Sequence, residues 1–314
     1  MSVGIPEPMV APGGLAVRSH LWRRLRRDRV TLAALAVVVA LVLVALLAPL
    51  LVAALGLPGP NARDRGAVDA FGTPLGPSAA HPLGVDDLGR DVLSRIIYGA
   101  RVSLLVGIGA TALAVALGVV AGLVAGWYGG WVDAVVSRLV DALLSFPVLL
   151  LGLGIASACS LGEGCLDGAI APGVRTVVLV VALVAWTSVA RIVRGEVLAL
   201  RAREFVAAAR VSGHGDGWIL RREILPNLAA PVLVASSLIV PQTILLEAAL
   251  SFLGVGVAPS TPSWGAMIAD AAPNFDTQWW YMLFPGLALL VTVLAFNLLG
   301  DGIQDALDPK AQLR

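Results

Sequence analysis

Long apolar runs separated by short polar ones dominate this chain. A helix needs about 20 apolar residues to cross a bilayer, and six stretches reach that length: 30–55, 102–125, 135–156, 174–193, 228–252 and 280–299. The pattern predicts an all-α polytopic membrane protein. Six transmembrane helices fill residues 30–300, between an N-terminal segment (1–29) and a C-terminal tail (301–314). The first run exceeds the roughly 7–15 apolar residues of a secretory signal. It continues past Pro49 through Leu50 to Leu55 with no cleavage pattern, so it is read as a retained span. Gly118, Gly122 and Gly126 recur every fourth residue, on one helix face where another backbone can come close. Pro147 and Pro241 are expected to bend the third and fifth spans.

Composition supports the pattern. Of 314 residues, 58% are hydrophobic and 14% charged, where a soluble domain carries about 25% charged. The only lysine, Lys310, lies in Asp308-Pro309-Lys310-Ala311 with no Gly-rich loop before it. A phosphate-cradling Walker loop requires such a lysine, so the sequence contains no P-loop ATPase site.

Arginine placement sets the expected orientation, because positive loops stay in the cytoplasm. One cluster is Arg18, Arg23, Arg24, Arg26, Arg27 and Arg29. The other, between spans four and five, is Arg191, Arg194, Arg201, Arg203, Arg210, Arg221 and Arg222. An even number of helices separates them, so both fit the cytoplasmic side, as do both termini. The stretch after span five has no Arg or Lys but holds Asp270, Asp276 and tryptophans, which suits the outer face. Segment 56–101 is then external although it carries five arginines beside five aspartates; a loop this long constrains orientation weakly.

The basic interruption at 194–227 reads as helix, break, helix, stop. Glu204 and the Ala207-Ala208-Ala209 run favour a helix. Gly213 can end it at positive φ. Asp216 is placed to cap a second short helix that exposes Trp218, Ile219 and Leu220 beside Arg221 and Arg222. Leu225 and Pro226 close it and return the chain to the membrane. An apolar knob with a basic rim fits a groove on a soluble partner, or lies on anionic lipid.

A second polar stretch runs His81-Pro82-Leu83-Gly84-Val85-Asp86-Asp87-Leu88-Gly89-Arg90-Asp91-Val92-Leu93-Ser94-Arg95. Its His and Asp residues invite a metal reading, but caps and ion pairs explain them as well. Asp86 is expected to cap a helix starting near Asp87, Asp91 to pair with Arg95, and Leu88, Val92, Ile96 and Ile97 to form an apolar stripe at the outer interface.

These motifs carry a family resemblance. Ala207-Ala208-Ala209, Gly213 and Leu225-Pro226 are similar in spacing to the EAA coupling loop of ATP-binding-cassette (ABC) importer permeases; Glu223 departs, standing where a basic residue or His is common. The His81–Arg95 stretch, continuing into Tyr98-Gly99-Ala100-Arg101, resembles the external segment of the dipeptide/oligopeptide/nickel subfamily. So do Ser251-Phe252-Leu253-Gly254, Pro262-Ser263-Trp264-Gly265 and Phe296-Asn297-Leu298-Leu299-Gly300-Asp301-Gly302. The likeness spans about 21–309. It implies a type I ABC importer permease fold, in the inner membrane of a prokaryote. It also implies a homologous second permease, two ATPase subunits and an extracytoplasmic substrate-binding protein. The cargo implied is a short peptide, with nickel or another small solute as the alternative. An ATPase would dock on Glu204, Ala207, Ala208, Gly213, Asp216, Trp218, Arg221, Leu225 and Pro226. No catalytic residue, metal, cofactor or nucleic-acid partner is expected, and lipid is the surrounding medium.

Three features remain beside the resemblance. Glu247 is an acid within span five, where a charge is costly and suggests function: contact with substrate, or with an arginine of a partner helix. Arg138 and Asp141 are spaced to pair near the start of span three. Cys159 and Cys165 sit in a Gly-rich loop expected outside the cytoplasm; they are either unpaired small residues or a disulfide. A transporter driven by an ion gradient would show inverted repeats or several mid-span charges, and the sequence shows neither clearly.

Overall fold

The structure is a computed structural model that describes residues 28–69, 73–160, 170, 173–258 and 260–307. Helices α1 (Arg29–Leu46), α2 (Ala48–Ala54), α3 (Val92–Tyr128), α4 (Gly130–Leu144), α5 (Val148–Ser160) and α6 (Val174–Arg201) make its first half. Helices α7 (Glu204–Val211), α8 (Asp216–Ile219), α9 (Leu225–Phe252), α10 (Trp264–Ala271) and α11 (Trp279–Leu307) follow. The described residues form no extended strand, and isolated β-bridges join Arg63 to Arg90, Val68 to Pro74 and Val85 to Asp91. Five helices are long and apolar enough to cross a membrane; α4 and α5 together have the length and apolarity of a sixth span or a re-entrant loop, bent by 91° at the Ser145–Pro147 break. Pro147 therefore does more than bend its span. Pro231 and Pro241, by contrast, lie inside an uninterrupted α9.

The packing centre is the contact of α3 with α6. A Cβ built on Gly118 would lie 2.5 Å from Val189 Cβ, one on Gly122 2.6 Å from the Ala190 carbonyl oxygen, and one on Gly126 2.8 Å from Val197 Cβ. The four-residue glycine spacing thus lets two backbones touch. At one end of the bundle Gly302 of α11 packs on Thr31 of α1. The start of α1, the end of α11 and the 202–227 loop all lie at this end.

The opposite end carries a lobe made of 56–91 and 253–278. Asn61 Nδ2 donates to the Ser260 carbonyl at 2.8 Å, and Trp280 Nε1 donates to the Val85 carbonyl at 3.2 Å. Here the structure corrects three expectations. Helix α3 begins at Val92, not near Asp87, and its cap is Asp91, which accepts from Ser94 N at 2.7 Å. Asp86 instead closes a tight turn: it accepts from Leu88 N and Arg90 N, both at 2.9 Å, and Gly89 takes φ +72°. The Asp91–Arg95 pair does not form, because a capping carboxylate points back along its own first turn. Asp91 meets His81 Nδ1 at 2.9 Å, while Arg95 lies 3.5 Å from Asp86. Leu88 falls before the helix and stays exposed, while Val92 and Ile97 are buried.

His81 is buried and its Nε2 reaches Asp64 at 3.3 Å. Burial alone would lower its pKa. Hydrogen bonds to Asp91 and Asp64 outweigh that and hold it above the ordinary value of 6.5. Asp64 is held below the ordinary carboxylate value, first by the Gly66 amide and then by His81.

The Arg138–Asp141 pair is also absent. Asp133, Ser137 and Asp141 share the α4 face toward α6 at four-residue spacing, and Arg138 is exposed elsewhere. Asp141 pairs with Arg191 at 3.0 Å, and Asp133 takes both Arg194 Nε and Nη2. Helix α6 itself runs on to Arg201, so residues 194–201 of the expected loop are helical continuation.

Candidate docking site

Helix α7 follows α6 after a two-residue turn. Its apolar positions split by period. Val206 and Ala209 are buried, whereas Glu204, Ala207, Ala208 and Val211 face out, and Val211 is 90% exposed. The i, i+3/i+4, i+7 spacing puts these four on one stripe. Ser212 N bonds the Ala208 carbonyl, and Gly213, at φ +81°, donates to the Arg210 carbonyl at 3.0 Å. Nothing lies within 4 Å of a Cβ built at Gly213, so conformation, not space, favours glycine there.

The second helix differs from expectation in its cap and in its end. Gly215, with extended backbone, is the N-cap, and no side chain caps. Asp216 is the first helical residue, where a carboxylate suits the positive end of a helix. Pro226 does not stop the chain. Residues Leu220–Ile224 form one π turn, with Leu225 N bonded to the Leu220 carbonyl, and α9 continues directly. Proline is tolerated in the first turn of a helix, where its missing N–H is not needed. The widened turn just before it lets α8 and α9 run as one span, Asp216–Phe252.

The loop is keyed to the bundle from below. Val206, Ala209, Ile219, Ile224 and Leu228 join Trp127, Val189, Val193 and Val197 in one buried cluster. Ile219, expected outside beside Trp218, is fully buried. Arg201 donates to the Trp127 carbonyl at 2.8 Å, and Arg210 stands 5.0 Å from the Trp127 ring. Trp218 is 39% exposed and stacks on His214 at 3.8 Å. Ala207, Ala208, Gly213, Asp216, Arg221, Leu225 and Pro226 are all exposed. The result is a plate whose inner side belongs to the α3–α6 core and whose outer side is left uncovered by the described residues. Sequence reading missed Val211 and the His214–Trp218 stack. The seven-residue step from Glu204 could have revealed Val211; nothing local announces the stack.

The remaining candidates lie elsewhere. Glu247 is fully buried, accepting from Ser103 Oγ at 3.1 Å and Ser251 Oγ at 2.8 Å. It ties α3 to α9, and in this conformation it reaches no surface. Cys159, at the end of α5, is disulfide-bonded; Cys165 lies outside the described residues.

Comparison with known proteins fits this geometry. Residues 118–313 match the family described as binding-protein-dependent transport system inner membrane component. Residues 19–66 match the N-terminal transmembrane domain of oligopeptide transport permease C. A dipeptide transport system permease protein of Alkalihalophilus pseudofirmus is 37% identical over 92% of this chain and 88% of its own. The dipeptide permease of Escherichia coli K12 is 49% identical over 75% of each chain. A glutathione transport system permease protein of Shigella flexneri is 39% identical over 96% of this chain and 94% of its own. Among solved structures, a chain of an inward-facing methionine ABC transporter superposes with TM-score 0.54 at 15% identity, covering 69% of this chain and 98% of that one. The chain belongs to the family of binding-protein-dependent transport inner-membrane components: a multi-pass transport permease, not an enzyme, of a kind that works with an ATPase and a substrate-binding protein.

Proposed function

We propose that this chain forms one half of the membrane channel of an ATP-driven importer of short peptides. A homologous second permease supplies the other half, two ATPase subunits dock from the cytoplasm, and an external binding protein delivers the peptide. Transport proceeds by alternating access. The peptide assignment follows from relatives named for dipeptides and glutathione.

The observation that carries the docking role is the two-sidedness of the 204–227 loop. Its inner residues are locked into the α3–α6 core, so a push on its outer stripe moves whole spans. We assign that outer side to the cytoplasm, with both termini, because the sequence carries one arginine cluster just before α1 and another in and beside this loop, and positive loops are retained. The lobe of 56–91 and 253–278 then faces outward, where a disulfide between Cys159 and Cys165 is stable.

Co-purification tests this. Tagged wild-type chain, expressed with its operon partners, retains an ATPase subunit. Val211→Asp alters a fully exposed side chain and leaves the fold intact, yet it should weaken ATPase retention at least tenfold, about 1.4 kcal/mol. Retention equal to wild type removes the loop from the docking site. Uptake of dipeptide by vesicles holding this chain without an ATPase refutes the importer reading altogether.

A further inference from the structure

A cavity of about 110 Å³ opens where the broken span turns, between Leu144 and Val148 on one side and α6 and α9 on the other. Its polar lining is Thr187 and Ser188 from α6 and Gln242 and Thr243 from α9. The two threonines are satisfied internally. Thr187 donates to the Val184 carbonyl at 3.0 Å, and Thr243 is bonded to the Gly107 and Val240 carbonyls at 2.9 and 2.8 Å. Ser188 and Gln242 differ. Both are exposed, and neither side chain has a hydrogen-bond partner among the described residues.

Their depth makes this informative. Ser188 lies at the middle of α6, and Gln242 follows Pro241 well inside α9. Acyl chains offer no hydrogen bonds, so polar side chains at membrane depth face water, solute or protein. The Ser145-Phe146-Pro147 break beside them agrees. Non-helical backbone at this depth persists where it lines a polar cavity or is covered by protein. Apolar walls from Leu144, Val148 and Leu246 surround the two free groups without adding a charge.

We propose that Gln242 and Ser188 line the route of the solute and bond to its main-chain amides. The inference rests on the peptide reading above and names its contact residues. A primary amide offers a donor and an acceptor together, the complement of a peptide unit, and a hydroxyl adds either. Neither group is charged, so both accept peptides regardless of side chain. Such a site binds weakly and releases readily, as a transit point must.

The test is ATP-dependent uptake of labelled dialanine by the complete importer in proteoliposomes, with ATP hydrolysis measured in parallel. Gln242→Leu should lower uptake at least tenfold while the assembled complex and its hydrolysis stimulated by the binding protein persist. Gln242→Asn, which keeps the amide, should restore part of the loss, and Ser188→Ala should lower uptake less. Uptake by Gln242→Leu at the wild-type rate overturns the inference. Loss of assembled complex in Gln242→Leu overturns it too, placing the residue at a static contact with the second permease. In both of those cases wild-type peptide uptake leaves the importer reading standing. A wild-type importer that moves no dipeptide refutes the peptide reading, and this inference falls with it.

Discussion

Gly122→Ala is the sharpest probe of the α3–α6 contact. The new Cβ would stand 2.6 Å from the Ala190 carbonyl oxygen, 2.8 Å from Val193 Cβ and 2.9 Å from Arg194 N. An ordinary carbon–oxygen approach is about 3.3 Å, so the backbones must part by roughly 0.7 Å. Two of the three neighbours are main-chain atoms, which cannot rotate away. Forcing one methyl group into such a contact costs about 1–3 kcal/mol. Against this, replacing a helical glycine by alanine gains up to ~1 kcal/mol in propensity. Gly109→Ala isolates the steric part. It lies on the same helix, and its Cβ would meet only Val178 methyl groups at 3.8 and 3.9 Å. The propensity gain is common to both, so Gly122→Ala should be less stable than Gly109→Ala by about 1–3 kcal/mol. Reversible unfolding in mixed micelles, followed by far-ultraviolet circular dichroism, measures the difference. Equal stability of the two variants would show that the helices are not in backbone contact.

Three further outcomes are expected. Glu247→Leu leaves the Ser103 and Ser251 hydroxyls without their acceptor, costing about 1–3 kcal/mol for each group left unsatisfied; Glu247→Gln retains an acceptor and should fold nearly as wild type. Normal uptake by Glu247→Gln eliminates contact of the carboxylate with substrate. Raised His81 and lowered Asp64 give opposite pH responses in the outer lobe. The His81 contribution is complete below the ordinary 6.5 and fades as pH rises through its higher folded-state value. The Asp64 contribution is present above the ordinary 3.8 and fades as pH falls through its lower folded-state value. Thermal unfolding against pH should therefore lose its decline on the alkaline side of 6.5 in His81→Gln, and a decline unchanged from wild type assigns it to another group. Reduction of a Cys159–Cys165 disulfide should change mobility on a denaturing gel, and identical migration with and without reductant argues against the bond.

The crossings were legible in sequence because hydrocarbon permits few alternatives. A run of 20 apolar residues is nearly a structural statement. Gly118, Gly122 and Gly126 were equally legible, since one period and one residue type define a close face. Errors gathered where several polar residues compete for one role. Asp86 and Asp91 both suit a cap, and only the placement of Arg90 and His81 decides that Asp86 turns the loop while Asp91 starts the helix. The same holds for Asp141, which had Arg138 near in sequence and Arg191 near in space. Pro226 misled for a different reason. Proline breaks an ideal helix, but a π turn one residue earlier accommodates it, and such turns leave no mark in composition.

Under the proposed docking role, the arrangement lets a small loop act on a large bundle. Residues of α7, of α8 and of the π turn are buried against α6, so the loop cannot tilt without α6. Along its length α6 also holds the inner arm of the broken span, through Arg191 to Asp141 and Arg194 to Asp133. Beyond those pairs the arm ends at Pro147, where the chain turns by 91° and α5 departs. Gln242 and Ser188 sit at that turn. Under the proposed docking role, displacement of the loop reaches α4 through the paired charges and ends at the bent α4–α5 pair. On that proposal the bend is where the motion is delivered, and it is where Ser188 and Gln242, unpaired among the described residues, lie.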